Sequence, residues 1–317
     1  MNATLTTSVS DAELIEQLHR LAGFVGNTPL YPLNRIFQKE GVQLYAKLEW
    51  QQMGGSVKAR PAYNMIAKAI LEGKLRPGVK LLDASSGNTA IAYATFARAL
   101  GIEVTLVVPE NASEARKNML RALGAELILS SRFEGTDGAQ RIAAEMATAY
   151  PDRYFYSDQY SNDNNWRAHY KHTAVEINTQ TRGKITHFVA GLGTTGTFMG
   201  TGRRLRELNP NVELVALHPE TAMHGLEGWK HLPTAKVPKF YDPSFANQNR
   251  DVSSDLAYGY IRVAARQEGL LLSPSAAAAL AGAIQVAESL DQGVVVTVFP
   301  DNSDKYQEVL AHLFNGN

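Results

Sequence analysis

Apolar and polar positions along the chain follow two alternating rhythms. Short apolar runs rich in β-branched residues predict strands over residues 42–47, 79–83, 104–108, 127–129, 154–156, 185–190, 212–217 and 294–299. Between them, apolar residues recur at helical spacing over 90–100, 114–123, 136–150, 198–208, 254–267 and 275–290. Gly101 and Gly124 stand just past two of these segments, where a left-handed helix C-terminus favours glycine. Apolar strands alternating with helices predict an α/β fold whose mainly parallel sheet is covered on both faces. One stretch breaks the rhythm. Residues 218–252 carry four prolines and little periodicity, which predicts a functional loop or lid, with a plain surface excursion as the alternative.

Composition narrows this picture only slightly. With 317 residues the chain can form one large α/β domain or two modest ones. Apolar residues at 44% and charged residues at 20% are ordinary for a soluble protein. The 31 basic and 31 acidic side chains cancel, so nothing favours nucleic acid or an anionic membrane as partner. The absence of cysteine has more content. It excludes disulfides, thiolate metal sites and a cysteine nucleophile, so sulfur chemistry would need external sulfur. No metal site is expected. The segment Asp11-Ala-Glu-Leu-Ile-Glu-Gln-Leu places acids where a signal peptide needs an apolar core. No apolar run approaches the ~18–20 residues of a membrane span, and the expected location is the cytosol.

The candidate chemistry clusters behind predicted strands. Ser85-Ser-Gly-Asn-Thr89, Gln159, Gly191-Leu-Gly-Thr-Thr-Gly-Thr197 and Asp301 each follow a strand end. Ligands of open α/β sheets bind beyond the carboxyl ends of the strands, so these segments can converge on one crevice. The glycines of 191–197 let backbone approach an anion at a helix N-terminus, and Thr194, Thr195 and Thr197 add hydroxyls. A phosphate site fits that loop. Gly191, Gly193 and Gly196 also satisfy a dinucleotide fingerprint with Glu220 as ribose acceptor, although five predicted strands precede the one leading into it, where the fingerprint normally opens its domain. Ser85–Thr89 suits a carboxylate, or equally a Ser or Asn cap on the next helix. Ser273 before Pro274 reads as a helix cap. Lys58, in Gly54-Gly-Ser-Val-Lys-Ala-Arg-Pro, would ordinarily be a solvated surface lysine. Beside a phosphate cradle and a carboxylate cradle it becomes a Schiff-base candidate for an amino-acid-binding pyridoxal 5′-phosphate (PLP) site.

Taken in order, these segments resemble the cysteine synthase family of fold-type II PLP enzymes, in its B-type (CysM-like) branch. The resemblance runs through Gly26-Asn-Thr-Pro-Leu30, Lys47-Leu-Glu, Ser56-Val-Lys58, Ser86-Gly-Asn-Thr89, Asp158-Gln-Tyr-Ser-Asn162, residues 191–202 and residues 301–306. It implies two lobes, each with a mainly parallel sheet: residues 1–52 and 155–317 as the larger PLP-binding domain, and 53–154 as a smaller, mobile substrate-binding domain. It implies that Lys58 forms the internal aldimine and later takes the substrate α-proton. Asn88 would bond the cofactor's 3′-oxygen, and Gly193, Thr194, Thr195, Gly196 and Thr197 its phosphate. Ser85, Ser86, Thr89 and Gln159 would hold the substrate carboxylate, and Ser273 would face the pyridine nitrogen. A neutral serine there makes the ring a weaker electron sink than an aspartate would, favouring β-elimination over transamination.

The implied activity is β-replacement on an activated L-serine through an aminoacrylate intermediate. O-acetylserine or O-phosphoserine would react with sulfide or thiosulfate, giving L-cysteine or S-sulfocysteine. Lys230 stands where phosphoserine-using relatives carry an arginine; it can balance an anionic leaving group but not grip it bidentately. Ala59, Gly54-Gly55, Ala90 and Pro274-Ser275 depart from the family pattern and leave room for a changed acceptor. The rivals are cystathionine β-synthase-like or desulfhydrase activity, an NAD-dependent oxidoreductase and an inert PLP-binding relative. A homodimer is implied; a serine acetyltransferase or sulfur-carrier partner stays open.

Overall fold

The computed structural model describes residues 10–314. Among the described residues ten strands occur in chain order: β1 (Leu30–Pro32), β2 (Val42–Leu48), β3 (Lys80–Ala84), β4 (Val104–Pro109), β5 (Glu126–Ser130), β6 (Tyr154–Tyr156), β7 (His187–Gly191), β8 (Glu213–Pro219), β9 (Gln248–Val252) and β10 (Gly293–Phe299). They form two sheets in two compact units. One unit comprises Gly26–Pro61 and Asp163 onward; the other comprises the described residues through Val25 together with Ala62–Asn162. The architecture is the expected α/β one.

The larger unit carries the six-stranded sheet, ordered β1-β2-β10-β7-β8-β9. All its pairings are parallel except that of β1 with β2. Alternate side chains of the inner strands enter two separate cores, as the two-residue period of a strand demands. Val189, Val215, Leu217, Val295 and Phe299 pack with the alanine-rich helix Pro274–Glu288. Phe188, Ala190, Leu214, Ala216, Val296 and Val298 pack instead with the helices Ala174–Gln180 and Gly196–Leu208. The continuous apolar character of these strands is therefore a two-faced burial.

The smaller unit is built on a four-stranded sheet, β5-β4-β3-β6, parallel throughout. Leu82, Ala84 and Val107 meet Ala139 and Ala143 of helix Gly135–Ala149 on one face. The helix Asn88–Ala99 also packs on β3 and β4. Gly101 and Gly124 have φ of 68° and 78°, the left-handed conformation anticipated after two helices. Among the described residues, no helix is long and apolar enough to cross a membrane.

Candidate active site

In the larger unit, β7 ends at Gly191 and the glycine-threonine loop leads directly into helix Gly196–Leu208. Packing from outside dictates the glycines. A Cβ on Gly193 would lie 2.0 Å from the Gly228 carbonyl oxygen, and one on Gly196 would lie 2.0 Å from Asn165 Oδ1. A Cβ on Gly191 would lie 1.9 Å from the Trp229 ring. The irregular stretch after β8 thus supplies a wall against the back of the loop. Its Leu226 and Trp229 are buried, and the Lys230 amide donates to the Leu192 carbonyl at 2.8 Å. Lys230 itself is half-buried on that wall.

The loop holds one hydroxyl that its own fold does not consume. Thr195 adopts φ 64°, costly for a non-glycine residue, and is only 2% exposed. Its Oγ1 is buried with no hydrogen-bond partner among the described residues. The helix that begins at Gly196 has no side-chain cap at Thr195; its first amide donates only to Thr194 Oγ1, at a long 3.4 Å. Asn165 Nδ2 donates to Thr194 Oγ1 at 3.2 Å, and Thr197 Oγ1 lies 3.3 Å from His169 Nε2.

Lys58 stands on the same sheet edge. The Val57 amide donates to the Pro300 carbonyl just past β10 at 2.7 Å, and the Lys58 amide donates to Ser56 Oγ at 3.3 Å. Because β10 runs parallel beside β7, with Val295 opposite His187 and Thr297 opposite Val189, the lysine turn and the glycine loop leave neighbouring strand ends. Gly54 and Gly55 both have positive φ, 88° and 59°, a pair of left-handed residues that the glycine-glycine approach alone accommodates readily. Burial pulls the Lys58 ammonium below the ordinary lysine range, and the Asp301 carboxylate opposes that shift. Leu272 bridges Asn302, which brings Ser273 to this edge as well. Ser273 is fully buried, and its Oγ accepts the Ala276 amide at 3.1 Å as the cap of the following helix. It brings a hydroxyl and no charge.

The smaller unit contains the second cradle. Helix Asn88–Ala99 starts from Gly87 without any side-chain cap, so the capping alternative for Ser85–Thr89 is overturned. Ser85 Oγ instead accepts the Gly87 amide at 3.3 Å. Thr89 Oγ1 donates to Gln159 Oε1 at 2.8 Å, and Gln159 Nε2 donates to the Ala84 carbonyl at 3.3 Å. These two residues, seventy positions apart, meet at the end of β3 because β6 pairs with it in parallel. Ser86 and Asn88 are half-buried on the same turn. Beneath it Asp83 is 1% exposed, its Oδ1 accepting the Ala84 amide at 2.7 Å. Burial pushes that carboxyl up to about 7, against the hydrogen bonds it accepts.

Comparison with known proteins decides the chemistry. A model of pyridoxal-phosphate-dependent enzymes matches residues 21–301. The chain belongs to this family. Within it the chain is 44% identical to a cysteine synthase of Aquifex aeolicus over 89% of this chain and 88% of the relative. It is 40% identical to a cysteine synthase B of Pseudomonas aeruginosa, covering 92% and 96% of the two chains. A crystal structure of O-ureido-L-serine synthase superposes with a TM-score of 0.86 at 33% identity, covering 93% of this chain and 95% of that one. The chain is accordingly a PLP enzyme of the cysteine synthase family, with the β-replacement chemistry of that group. The NAD alternative falls with this result, and Glu220 is exposed just past β8.

The residues of the larger unit fit the cofactor. A helix N-terminus with no side-chain cap at Thr195, a buried hydroxyl without a partner among the described residues and glycines packed from behind are what a phosphate would require of this loop. A lysine whose charge is disfavoured lies on the same edge. Sequence reasoning missed the residues behind the loop: Asn165 and His169 beneath its threonines, and Trp229 behind Gly191. The four-residue spacing of Asn165 and His169 was the available signal, since it puts both on one face of a helix. Two departures from the family pattern, Ala59 and Ala90, are fully buried at the starts of their helices. An alanine at either position needs no polar partner.

Proposed function

We propose that this enzyme exchanges the β-substituent of an activated L-serine, O-acetylserine or O-phosphoserine, for sulfide or thiosulfate, giving L-cysteine or S-sulfocysteine. The observation that carries the reading is the glycine-threonine loop with its partnerless Thr195 hydroxyl on the same sheet edge as Lys58. When bound, PLP supplies an electron sink for the carbon bearing the substrate's amino group. The chain's residues do the rest. Gly193, Thr194, Thr195, Gly196 and Thr197 hold the phosphate through backbone N–H and hydroxyl groups, aided by the helix dipole. Lys58 Nζ anchors the cofactor and is the base that takes the proton from the substrate α-carbon. Burial favours its neutral form, the form that can accept a proton.

Asn88 donates to the cofactor's 3′-oxygen in this reading, and Ser273 meets the ring nitrogen with a neutral hydroxyl. Ser85, Ser86, Thr89 and Gln159 receive the substrate carboxylate, and the uncapped helix start at Gly87 adds its positive end. Lys230 balances a phosphate or sulfonate as a point charge. Residues 53–154 act as the mobile substrate-binding part, and the enzyme works as a cytosolic homodimer.

The test is turnover of purified enzyme on O-acetylserine and O-phosphoserine, each with sulfide and thiosulfate, in wild type and Lys230→Ala. Formation of cysteine or S-sulfocysteine supports the reading, and a selective loss with O-phosphoserine in the variant assigns Lys230. Formation only of thioether products from a larger thiol, or of pyruvate and sulfide from cysteine, would replace it with the cystathionine β-synthase-like or desulfhydrase activity.

A further inference from the structure

The helix beneath the phosphate loop contains a π-turn, His169–Thr173, between the α-helical segments Asn164–Ala168 and Ala174–Gln180. The Ala174 amide reaches back five residues to the His169 carbonyl, inserting one extra residue into the helical register. Such insertions turn the side chains on either side to different faces, and they concentrate at functional sites. Here the N-terminal part aims Asn165 and His169 at the loop threonines. The C-terminal part aims Glu176 at Arg60. Gly200 permits the close approach, since a Cβ there would meet the Trp166 carbonyl at 2.0 Å and His169 Cβ at 2.9 Å.

His169 is 1% exposed and makes one contact from each ring nitrogen: Nδ1 with Thr173 Oγ1 at 3.0 Å and Nε2 with Thr197 Oγ1 at 3.3 Å. We infer that His169 is a positioning residue for the cofactor phosphate: it donates from Nε2–H to Thr197 Oγ1 and so commits the Thr197 hydroxyl proton to the phosphate. The relay has a direction. Thr173 donates to Nδ1, the ring proton sits on Nε2, and Thr197 Oγ1, accepting from the ring, keeps its own O–H free to donate outward. An anion in the loop needs that donor. Were the ring turned to the other tautomer, Nε2 would accept the Thr197 proton, and the threonine would present a lone pair to the phosphate.

The surroundings keep the ring neutral, as the relay requires. Burial, followed by the positive charges of Arg60 and Lys58, holds the imidazole well below 6.5; Glu176 opposes this and His172 adds to it. The inference rests on the proposed phosphate role of the loop and assigns the residue behind it.

The experiment uses apo-protein reconstituted with PLP, read by equilibrium cofactor binding and by the phosphorus NMR signal of the bound phosphate. His169→Leu removes both ring nitrogens and should weaken PLP binding by about 10-fold or more, the scale of one hydrogen bond to a charged group. It should also shift or broaden the phosphorus signal. His169→Gln, which can still donate at the Nε2 position, should recover most of both. In the Thr197→Val background His169→Leu should add little, because its effect passes through that hydroxyl. Nitrogen NMR of labelled wild type should show the Nε2–H tautomer, a readout that needs no variant to fold. Losses that multiply independently in the double variant, or an Nδ1–H tautomer or imidazolium in the wild type, would overturn the inference. If wild-type protein binds no PLP at all, the functional reading fails instead.

Discussion

Removing Arg60 tests whether the larger unit is held by its buried charges. Arg60 spans two carboxylates: Nε and Nη2 reach Glu49 at 2.6 and 2.8 Å, while Nη1 and Nη2 each reach Glu176 at 2.7 Å. The Arg60 side chain is 1% exposed and that of Glu49 0%, while Lys47 Nζ adds a second cation 2.7 Å from Glu176. Thr28 Oγ1 and Gln52 Nε2 complete the set on Glu49. Replacing Arg60 with methionine keeps the apolar stem but leaves a fully buried carboxylate without its cation. Such losses cost about 3–5 kcal/mol.

A second route reaches the same scale. Burial raises the Glu176 carboxyl, but the hydrogen bonds and charges of Arg60 and Lys47 outweigh it and hold the group at about 2 instead of 4.5. That difference corresponds to roughly 3 kcal/mol shared between the two cations. The sign follows from linkage. A depressed carboxyl stabilises the fold above pH 4.5, and the contribution is lost as pH falls from there towards 2. The gap between wild type and Arg60→Met should therefore be largest at neutral pH and narrow in acid. All three tryptophans, Trp50, Trp166 and Trp229, lie in this unit, so urea unfolding of the PLP-free protein followed by tryptophan fluorescence reports on it directly. Adding Glu49→Leu should recover part of the loss, since an apolar pair is cheaper to bury than a lone charge. A variant within about 1 kcal/mol of wild type, or a gap that ignores pH, would refute the reasoning.

Other outcomes follow from the two cradles. Gly193→Ala drives a Cβ into the Gly228 carbonyl, so either the loop or its wall must move; PLP binding should weaken, with a stability loss of about 1–3 kcal/mol by thermal unfolding. Thr89→Val and Gln159→Leu should raise KM for the activated serine by roughly 10-fold or more each while leaving PLP absorbance intact, since each removes a hydrogen bond to a charged carboxylate worth about 1.5–3 kcal/mol. Asp83, raised to about 7, binds a proton in the fold that the unfolded chain releases near 3.8. Stability of the smaller unit should therefore fall as pH rises from about 4 to 7, by up to roughly 4 kcal/mol. Asp83→Asn should abolish that slope in hydrogen-exchange or unfolding measurements.

The parts of this molecule that sequence made legible share a physical cause. Strands buried on both faces leave apolar runs, which is why the inner strands of both sheets could be read within a residue or two of their ends. The two missed strands are at sheet edges. Leu30–Pro32 is three residues ending in proline, and Gln248–Val252 is four polar residues followed by one valine. Neither needs an apolar pattern to pair. The helix from Asn164 to Gln180 escaped because its residues are largely polar and its π-turn breaks the 3.6-residue period. Glycines and hydroxyls at strand ends marked the two polar strand-to-helix turns, residues 85–89 and 191–197, that the proposed function uses. What stood behind them was illegible. Trp229 against Gly191 and Gly228 against Gly193 join residues tens of positions apart through packing, and His169 beneath Thr197 through a hydrogen bond. At Ser85–Thr89 the pattern left capping and carboxylate binding equally open, and only the structure shows that Gly87 occupies the N-cap position with no side-chain cap.

The claim on which everything else depends is that Lys58 carries the cofactor. Reduction of the purified holoenzyme with borohydride, followed by peptide mapping, measures it most directly. The account predicts a stable pyridoxyl label on the peptide containing Lys58 and on no other lysine, together with loss of the visible cofactor absorbance in Lys58→Ala. A label on another lysine, or a Lys58→Ala protein that keeps the absorbance of wild type, would contradict it.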